Sequence, residues 1–313
     1  LVKPQVFVVG SVSRDVTVTV DRFPAPGETL VGESVTYGLG GKGANQAVAS
    51  ALTGTATAFL GCVGDDDAGH RLLEELRVYG VATDAMSTVP GDSGTAHITV
   101  DAHGENTIAI VPAANRSVSP ELVRRAGSEG FGGSRVVVAQ GEIPVETLEQ
   151  LARTVSETSA RFILNLAPAA DVSAECLSST DVLVVNESEA QAVIRRHALP
   201  DRRSPAATLT ELAPAAVVTL GSEGSAIATR HAPQPQHIEA TRAEKVVDTT
   251  GAGDAYVGVF AALVAKLTDD VEPENALPLD VLARCARIAS REAARVVGAA
   301  GASSSYTNFS VEE

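Results

Sequence analysis

Two glycine-bearing segments put chemically useful side chains where helices should begin. The first, Gly38-Leu39-Gly40-Gly41-Lys42-Gly43, surrounds one of the chain's lysines (Lys3, Lys42, Lys245 and Lys266 are the set) with glycines, and Asn45 and Gln46 follow in a helix's first turn. Glycines let backbone N–H groups approach a ligand closely, and a helix start offers amides without intrahelical partners. The segment formally satisfies GxGxxG, but a dinucleotide site also requires an acid about 20 residues on. Ala58 stands there, and no acid occurs between Glu33 and Asp65. It is not a Walker loop either, because Thr36 holds the first glycine position and Gly43 follows the lysine where Ser or Thr is required. A plain glycine-rich turn between strand and helix is the structural alternative.

The second segment, Asp248-Thr249-Thr250-Gly251-Ala252-Gly253-Asp254, joins a short β run at 245–247 to a long apolar helix. Small residues at such a junction leave helix N-terminal amides free to face an anion. One acid there could serve as an ordinary helix cap. Two acids around Gly-Ala-Gly exceed what capping requires.

Asn186-Glu187-Ser188-Glu189 also follows a strand and opens a helix, with the spacing of a capping box. Gly141-Glu142 and Gly221-Ser222-Glu223-Gly224 directly follow strands too. Ligands of open α/β sheets gather at the carboxyl ends of strands, so this convergence points to one site. Other patterns carry less. Gly91-Asp92-Ser93-Gly94 reads as a turn, Asp65-Asp66-Asp67 as a cap for the next helix, and none of the histidines (70, 97, 103, 197, 231 and 237) forms a metal-ligand pair.

The elements that must position these groups are legible in outline. Residues 6–10 form a β-branched run, and 16–20 alternate Val and Thr as a half-buried strand would. Helical patterns cover 43–53 and 68–79, and residues 97–111 suggest a hairpin turning at His103-Gly104-Glu105. Short apolar strands are expected at 136–139, 162–166, 182–185 and 217–220, mostly separated by helices, and long helices at 252–267 and 278–297. This predicts an α/β fold: a mostly parallel sheet between helical layers, carrying a small β-appendage.

Composition sets outer limits. The chain has 313 residues, 44% hydrophobic and 20% charged, as ordinary globular domains do. Its 24 basic and 39 acidic residues give −15 at pH 7, which argues against a nucleic-acid surface or an electrostatic membrane anchor. No run approaches the roughly 18 apolar residues of a membrane span. Leu1-Val2-Lys3-Pro4 lacks the pattern of a signal peptide, and Cys62, Cys176 and Cys285 are far apart and unpaired in spacing. A reducing, cytoplasmic setting is the expectation.

Gly40-Gly41-Lys42-Gly43-Ala44-Asn45-Gln46-Ala47 resembles the N-terminal signature of the ribokinase-like (PfkB-type) carbohydrate kinases, and 248–254 resembles their C-terminal signature, DTxGAGD. The likeness extends in order through Gly10-Ser11, Asp15, 23–29, Gly64-Asp65-Asp66, Gly141-Glu142, 186–189 and Thr219-Leu220-Gly221, with the ribokinase branch nearest. It implies a single kinase domain over 1–313, three-layered α/β/α, with a β-sheet lid from about 12–36 and 95–111. It also implies an ATP-dependent kinase acting on the primary hydroxyl of a small sugar, ribose to ribose 5-phosphate, as a homodimer through the lid.

By the same resemblance, Asp254 is the base, and the amides of Gly251, Ala252 and Gly253 form an anion hole. Ser13, Asp15, Gly41, Lys42, Asn45, Glu142 and Asp254 line the sugar pocket; Asn186, Thr219, Gly221, Ser222, Gly224, Gly253 and Ser290 border the nucleotide. Glu189 organises Mg²⁺ through phosphates or water, while Asp248, Thr250, Val296, Ala299, Gly301 and Ser305 match a K⁺ site. One departure stands. The family presents Asn two residues before the sugar-binding Asp, whereas this chain reads Ser13-Arg14-Asp15. Ser cannot span two hydroxyls as a carboxamide can, and such changes alter discrimination at a hydroxyl-binding site. The rival functions are a kinase of a nucleoside or another sugar (a ketohexose or keto-deoxy sugar acid), and a non-catalytic sugar or nucleotide sensor. Scarce aromatics weigh against a nucleoside, and an intact Asp254 weighs against a sensor.

Overall fold

The computed structural model describes residues 3–200, 204–268, 276–299 and 301–311. In chain order the strands are β1 (Val6–Val9), β2 (Ser13–Thr19), β3 (Ser34–Gly40), β4 (Thr57–Leu60), β5 (Cys62–Gly64), β6 (Ser87–Val89), β7 (Gly94–Val100), β8 (Asn106–Val111), β9 (Val136–Gln140), β10 (Arg161–Asn165), β11 (Val182–Asn186), β12 (Ala215–Thr219), β13 (Ser225–Thr229) and β14 (Ala232–Ile238). The α-helices are α1 (Lys42–Ala51), α2 (Asp67–Val78), α3 (Pro120–Glu129), α4 (Val145–Ser156), α5 (Ala174–Ser178), α6 (Glu187–Arg196), α7 (Pro205–Leu209), α8 (Ala252–Leu267) and α9 (Leu279–Val296).

The apolar strands assemble an eight-stranded sheet in the order β14-β13-β12-β11-β10-β9-β1-β4. It is parallel from β12 to β4, and β13 and β14 run antiparallel at one edge. Successive side chains of a strand point to opposite faces, and here that alternation divides the core in two. Val6, Val8, Val136, Val138 and Ile163 pack with α1, α2, α8 and α9; Phe7, Val9, Val137, Ala139 and Leu164 pack with α3 to α7. Both faces are covered, which is why the central strands read as continuous apolar runs.

In a separate sheet, β3-β2-β7-β8, strands β2, β7 and β8 come from the two alternating regions and β3 joins them at one edge. The hairpin expected near residue 104 joins β7 to β8. Two local expectations are corrected. Residues 34–40 form a strand, so Gly38 and Gly40 lie in β3 and only Gly41 remains as the turn. Residues 245–247 form no strand; they are an irregular approach to α8 whose Val247 amide donates to the Val297 carbonyl. The strands β4, β5, β6, β13 and β14 also add to those expected from sequence.

Helix α8 is apolar on every side, as a helix enclosed by others must be, and residues 254–265 are buried. Its contact with α1 depends on Gly258, where a Cβ would stand 2.4 Å from the Gln46 carbonyl oxygen. That close approach brings the start of α8 against the start of α1. Among the described residues no helix is long and apolar enough to cross a membrane.

Candidate active site

Helices α1 and α8 both enter through a glycine at positive φ: Gly41 at 88° and Gly251 at 79°. Only glycine takes such backbone angles without strain. Neither helix has a side-chain cap. The amides of α1 are met from neighbouring strand ends instead. Lys42 N donates to a Glu142 carboxylate oxygen (3.0 Å), Gly43 N to Ser11 Oγ (3.3 Å) and Ala44 N to the Ser11 carbonyl (2.9 Å). Ser11 Oγ itself donates to Glu142 at 2.5 Å. At α8, Gly253 is exposed and nothing lies within 4 Å of where its Cβ would be. The first turn of α8 therefore has open space before it.

Asp254, in that first turn, is 7% exposed. Both its oxygens accept from carboxamides of α1: Asn45 Nδ2 to Oδ2 and Gln46 Nε2 to Oδ1, each at 3.0 Å. The Lys42 ammonium lies within electrostatic reach. Asp254 above all, opposed by burial but helped by Glu142 and Glu189, raises its pKa above the ordinary lysine value. Asp15, on β2, also feels Glu142 and Asp254. Burial chiefly pushes the Asp15 carboxyl up to about 6, although a hydrogen bond from Ser13 Oγ (3.1 Å) opposes the shift. The structure thus gathers Asp15, Lys42, Asn45, Glu142, Glu189 and Asp254, which span most of the chain.

Asn186 caps α6 and Glu189 completes the capping box, as the spacing predicts. Burial raises the Glu189 carboxyl above its ordinary range despite the Asn186 amide and Lys42. Thr219 is the register partner of Asn186 on the adjacent strand. Beyond it, Gly221 and Ser222 sit in an exposed turn, and the Gly224 backbone lies close against the Ile238 carbonyl. Ser290 lies on α9, where its Oγ accepts from Thr241 N (3.4 Å).

Asp248 ties two loops together, accepting from Thr250 N (2.8 Å) and Gly301 N (2.9 Å). Burial alone would raise its carboxyl, but these bonds outweigh it and hold the pKa below the ordinary value. Ala299 N donates to the Val296 carbonyl and Ser305 Oγ to the Ala302 carbonyl. Tyr306 Oη donates to the Gly251 carbonyl at 2.6 Å, and Ser303 Oγ to the Leu39 carbonyl at 2.9 Å. Segment 301–306 therefore bridges the two glycine-bearing segments.

Several of these residues escape sequence reasoning. Tyr306 belongs to no recognisable spacing, and Ser11 is marked only by its place in the Gly10-Ser11 pair of the family likeness. Gln46 is visible in the first turn of α1 and within the N-terminal signature, but nothing in the sequence shows that it faces Asp254. Gln140 and Asn165, the last residues of β9 and β10, are polar ends on otherwise apolar strands, which is the only mark they bear.

Such a scaffold, with a buried carboxylate beside an uncapped helix start at the strand ends, is the kind of place where α/β enzymes bind phosphate-bearing ligands. The sequence model of the pfkB family of carbohydrate kinases matches residues 3–308, and the chain belongs to that family. It is a sugar kinase. The chain is 34% identical to the ribokinase of Staphylococcus aureus over 85% of its length and 88% of that protein's. It is also 34% identical to a deoxyribokinase of Salmonella typhi, covering 81% and 83% of the two chains. Among solved structures, a ribokinase from Giardia lamblia superposes with a TM-score of 0.87 at 29% identity, covering 98% of this chain and 96% of that one. The Arabidopsis thaliana ribokinase complexed with ribose and ATP gives 0.79 at 29% identity, with the same coverage.

Proposed function

We propose that this chain transfers the γ-phosphoryl group of ATP to the primary hydroxyl of ribose, giving ribose 5-phosphate and ADP. The observation that carries the reading is the buried Asp254 carboxylate, fixed on both oxygens, next to the exposed Gly253 at the start of α8, before which the space is open. Asp254 takes the hydroxyl proton as the oxygen attacks the γ-phosphorus and the bond to the β-phosphate oxygen breaks. The amides of Gly251, Ala252 and Gly253 receive the charge that develops on the phosphoryl oxygens. Asp15, Gly41, Lys42, Asn45 and Glu142 hold the sugar hydroxyls, since carboxylates accept from them and carboxamides do both. Ser13 acts mainly on Asp15, to which its hydroxyl already donates. Asn186, Thr219, Gly221, Ser222, Gly224, Gly253 and Ser290 border the nucleotide.

The residues suit the metals the family implies. Mg²⁺ keeps several waters and is usually held by one or two carboxylates plus substrate phosphates. Among the described residues no three metal-ligating side chains cluster, and Glu189 offers the single carboxylate that arrangement uses. Bound there, Mg²⁺ would neutralise phosphate charge. The carboxylate of Asp248, with oxygens of Thr250, Val296, Ala299, Gly301 and Ser305, forms a hard-oxygen set for K⁺ behind the anion hole. The sheet β3-β2-β7-β8 is the lid over the sugar. Its exposed Val35, Tyr37, Ile108, Ile110 and Val111 suit pairing with a second copy. A cytoplasmic setting fits three buried free cysteines.

The test is a coupled ATPase assay over pentoses (2-deoxyribose included, given Ser13 and the deoxyribokinase relative), hexoses and nucleosides. Ribose is expected to give the highest kcat/KM, and Asp254→Asn to lower kcat by about 10³-fold or more with the fold intact. Preference for another acceptor would replace the substrate. Normal turnover by Asp254→Asn would end the mechanism.

A further inference from the structure

The reaction above uses Asp254 but not the polar residues buried beneath it. Gln46 and Gln140 are fully buried and Asn165 is 7% exposed, at positions where the surrounding helix and strands are apolar. We infer that Gln46 is the positioning residue of the catalytic carboxylate: its carboxamide fixes where the Asp254 carboxylate points, and Gln140 and Asn165 fix Gln46. This inference rests on Asp254 as the base.

The orientation of each amide follows from the one before it. Asn165 Nδ2 donates to the Val184 carbonyl (3.0 Å), which can only accept, so Asn165 Oδ1 is left as an acceptor. Gln46 must then present Nε2, whose hydrogens go to Asn165 Oδ1 (2.9 Å) and Asp254 Oδ1 (3.0 Å). That leaves Gln46 Oε1 to accept from Gln140 Nε2 at 2.8 Å. Gln46 is thereby saturated and cannot flip. The far end of the chain is left unsatisfied, since Gln140 Oε1 is buried without a partner. An unmet buried acceptor costs about 1–3 kcal/mol, so stability alone gives no reason for three carboxamides here. Their chemistry does. Carboxamides donate without titrating, so Gln46, Gln140 and Asn165 hold the Asp254 carboxylate without offering an acceptor for the proton it takes from the sugar.

Three variants test this: Gln46→Leu, Gln46→Glu and Gln140→Met. Each is measured for kcat, KM of ribose and ATP, and the pH profile of kcat/KM. The Asp254 carboxyl is also titrated by ¹³C NMR without substrates, its signal assigned by its loss in Asp254→Asn. The charged neighbours Asp15, Lys42, Glu142 and Glu189, and the Tyr306 phenol, stay unchanged throughout. Gln46→Leu is expected to lower kcat about 100-fold with the KM of ATP unmoved. The acidic limb and the NMR titration should both rise in pH, because a hydrogen bond to the ionised carboxylate is lost. Gln46→Glu should raise them further by setting an acceptor against Oδ1, and Gln140→Met should move them less in the same direction. A folded Gln46→Leu with wild-type kcat overturns the inference, and so does a loss of kcat with the Asp254 titration unmoved. If Gln46→Leu does not fold, Gln46→Glu decides by the same readouts. A wild-type chain that phosphorylates no sugar defeats the proposed function instead, and the NMR titration still decides whether Gln46 holds Asp254.

Discussion

Gly258→Ala is expected to damage catalysis far more than stability. A Cβ at 258 would lie 2.4 Å from the Gln46 carbonyl oxygen and 2.6 Å from the Ala49 Cβ. Carbon–oxygen contacts begin near 3.3 Å, so α1 and α8 must part locally by about 1 Å. Asp254 lies one turn earlier on the same face of α8, and its bonds to Asn45 and Gln46 stand at 3.0 Å. Adding about 1 Å carries them beyond hydrogen-bond reach. A misplacement of that size costs on the order of 100-fold in rate.

The stability effect is smaller because two terms oppose. Overpacking a core costs about 1–3 kcal/mol, while Ala in place of Gly inside a helix returns about 1 kcal/mol. The net loss is about 0–2 kcal/mol. Urea unfolding followed by circular dichroism reads this, and steady-state kinetics at saturating ribose and ATP read kcat. Wild-type kcat in a folded Gly258→Ala enzyme would refute the reasoning, since the base would then not depend on the close helix contact.

Four other outcomes are expected. With the Asp15 carboxyl at about 6, the KM for sugar should rise roughly tenfold per unit as pH falls below that value. The native state also binds this proton more tightly than the unfolded chain, so Asp15 lowers stability as pH rises from about 4 to about 6. Asp15→Asn should remove that slope in urea-unfolding measurements, and an unchanged slope would remove the assignment. Titrating K⁺ at fixed ionic strength should raise kcat to a plateau, and a flat response would remove the site around Asp248. Light scattering at micromolar protein should give twice the 32.1 kDa chain mass, reduced to one chain by Ile110→Lys; a monomeric wild type would dismiss pairing through the lid.

Sequence periodicity locates α8 at residues 252–267 and the cap at Asn186 because those features depend on nearby residues alone. The strand at 34–40 is hidden by Gly38 and Gly40, residues that ordinarily weaken strands but here lie in β3 beside β2. The apolar pair Val246-Val247 imitates a strand, yet the Val247 amide meets the carbonyl of Val297 at the end of α9 rather than a strand. In the site, Asp254 and Lys42 are legible because their glycine settings are unusual. Gln46, Gln140 and Asn165 are not, because their meaning lies in which amide faces which. That is fixed only when β9, β10 and α1 meet.

The charge of the site follows from the same packing. Asp15, Glu142, Glu189 and Asp254 all act on one another or on Lys42, so one ammonium stands among four carboxyl groups. A nucleoside triphosphate brings still more negative charge to a chain that already carries −15. Attraction across the whole surface cannot bring it in. What favours it must be local and must not depend on formal positive side chains: the amides at the start of α8, whose partial charge equals about half a proton, and cations that enter with the phosphates. Lys42 does not serve freely as a second phosphate receptor, because the charges of Asp254 and Glu142 already favour its ammonium where it stands. Lys42→Met should therefore weaken sugar binding and leave the KM of ATP nearly unmoved, and the opposite pattern would place Lys42 on the phosphates instead.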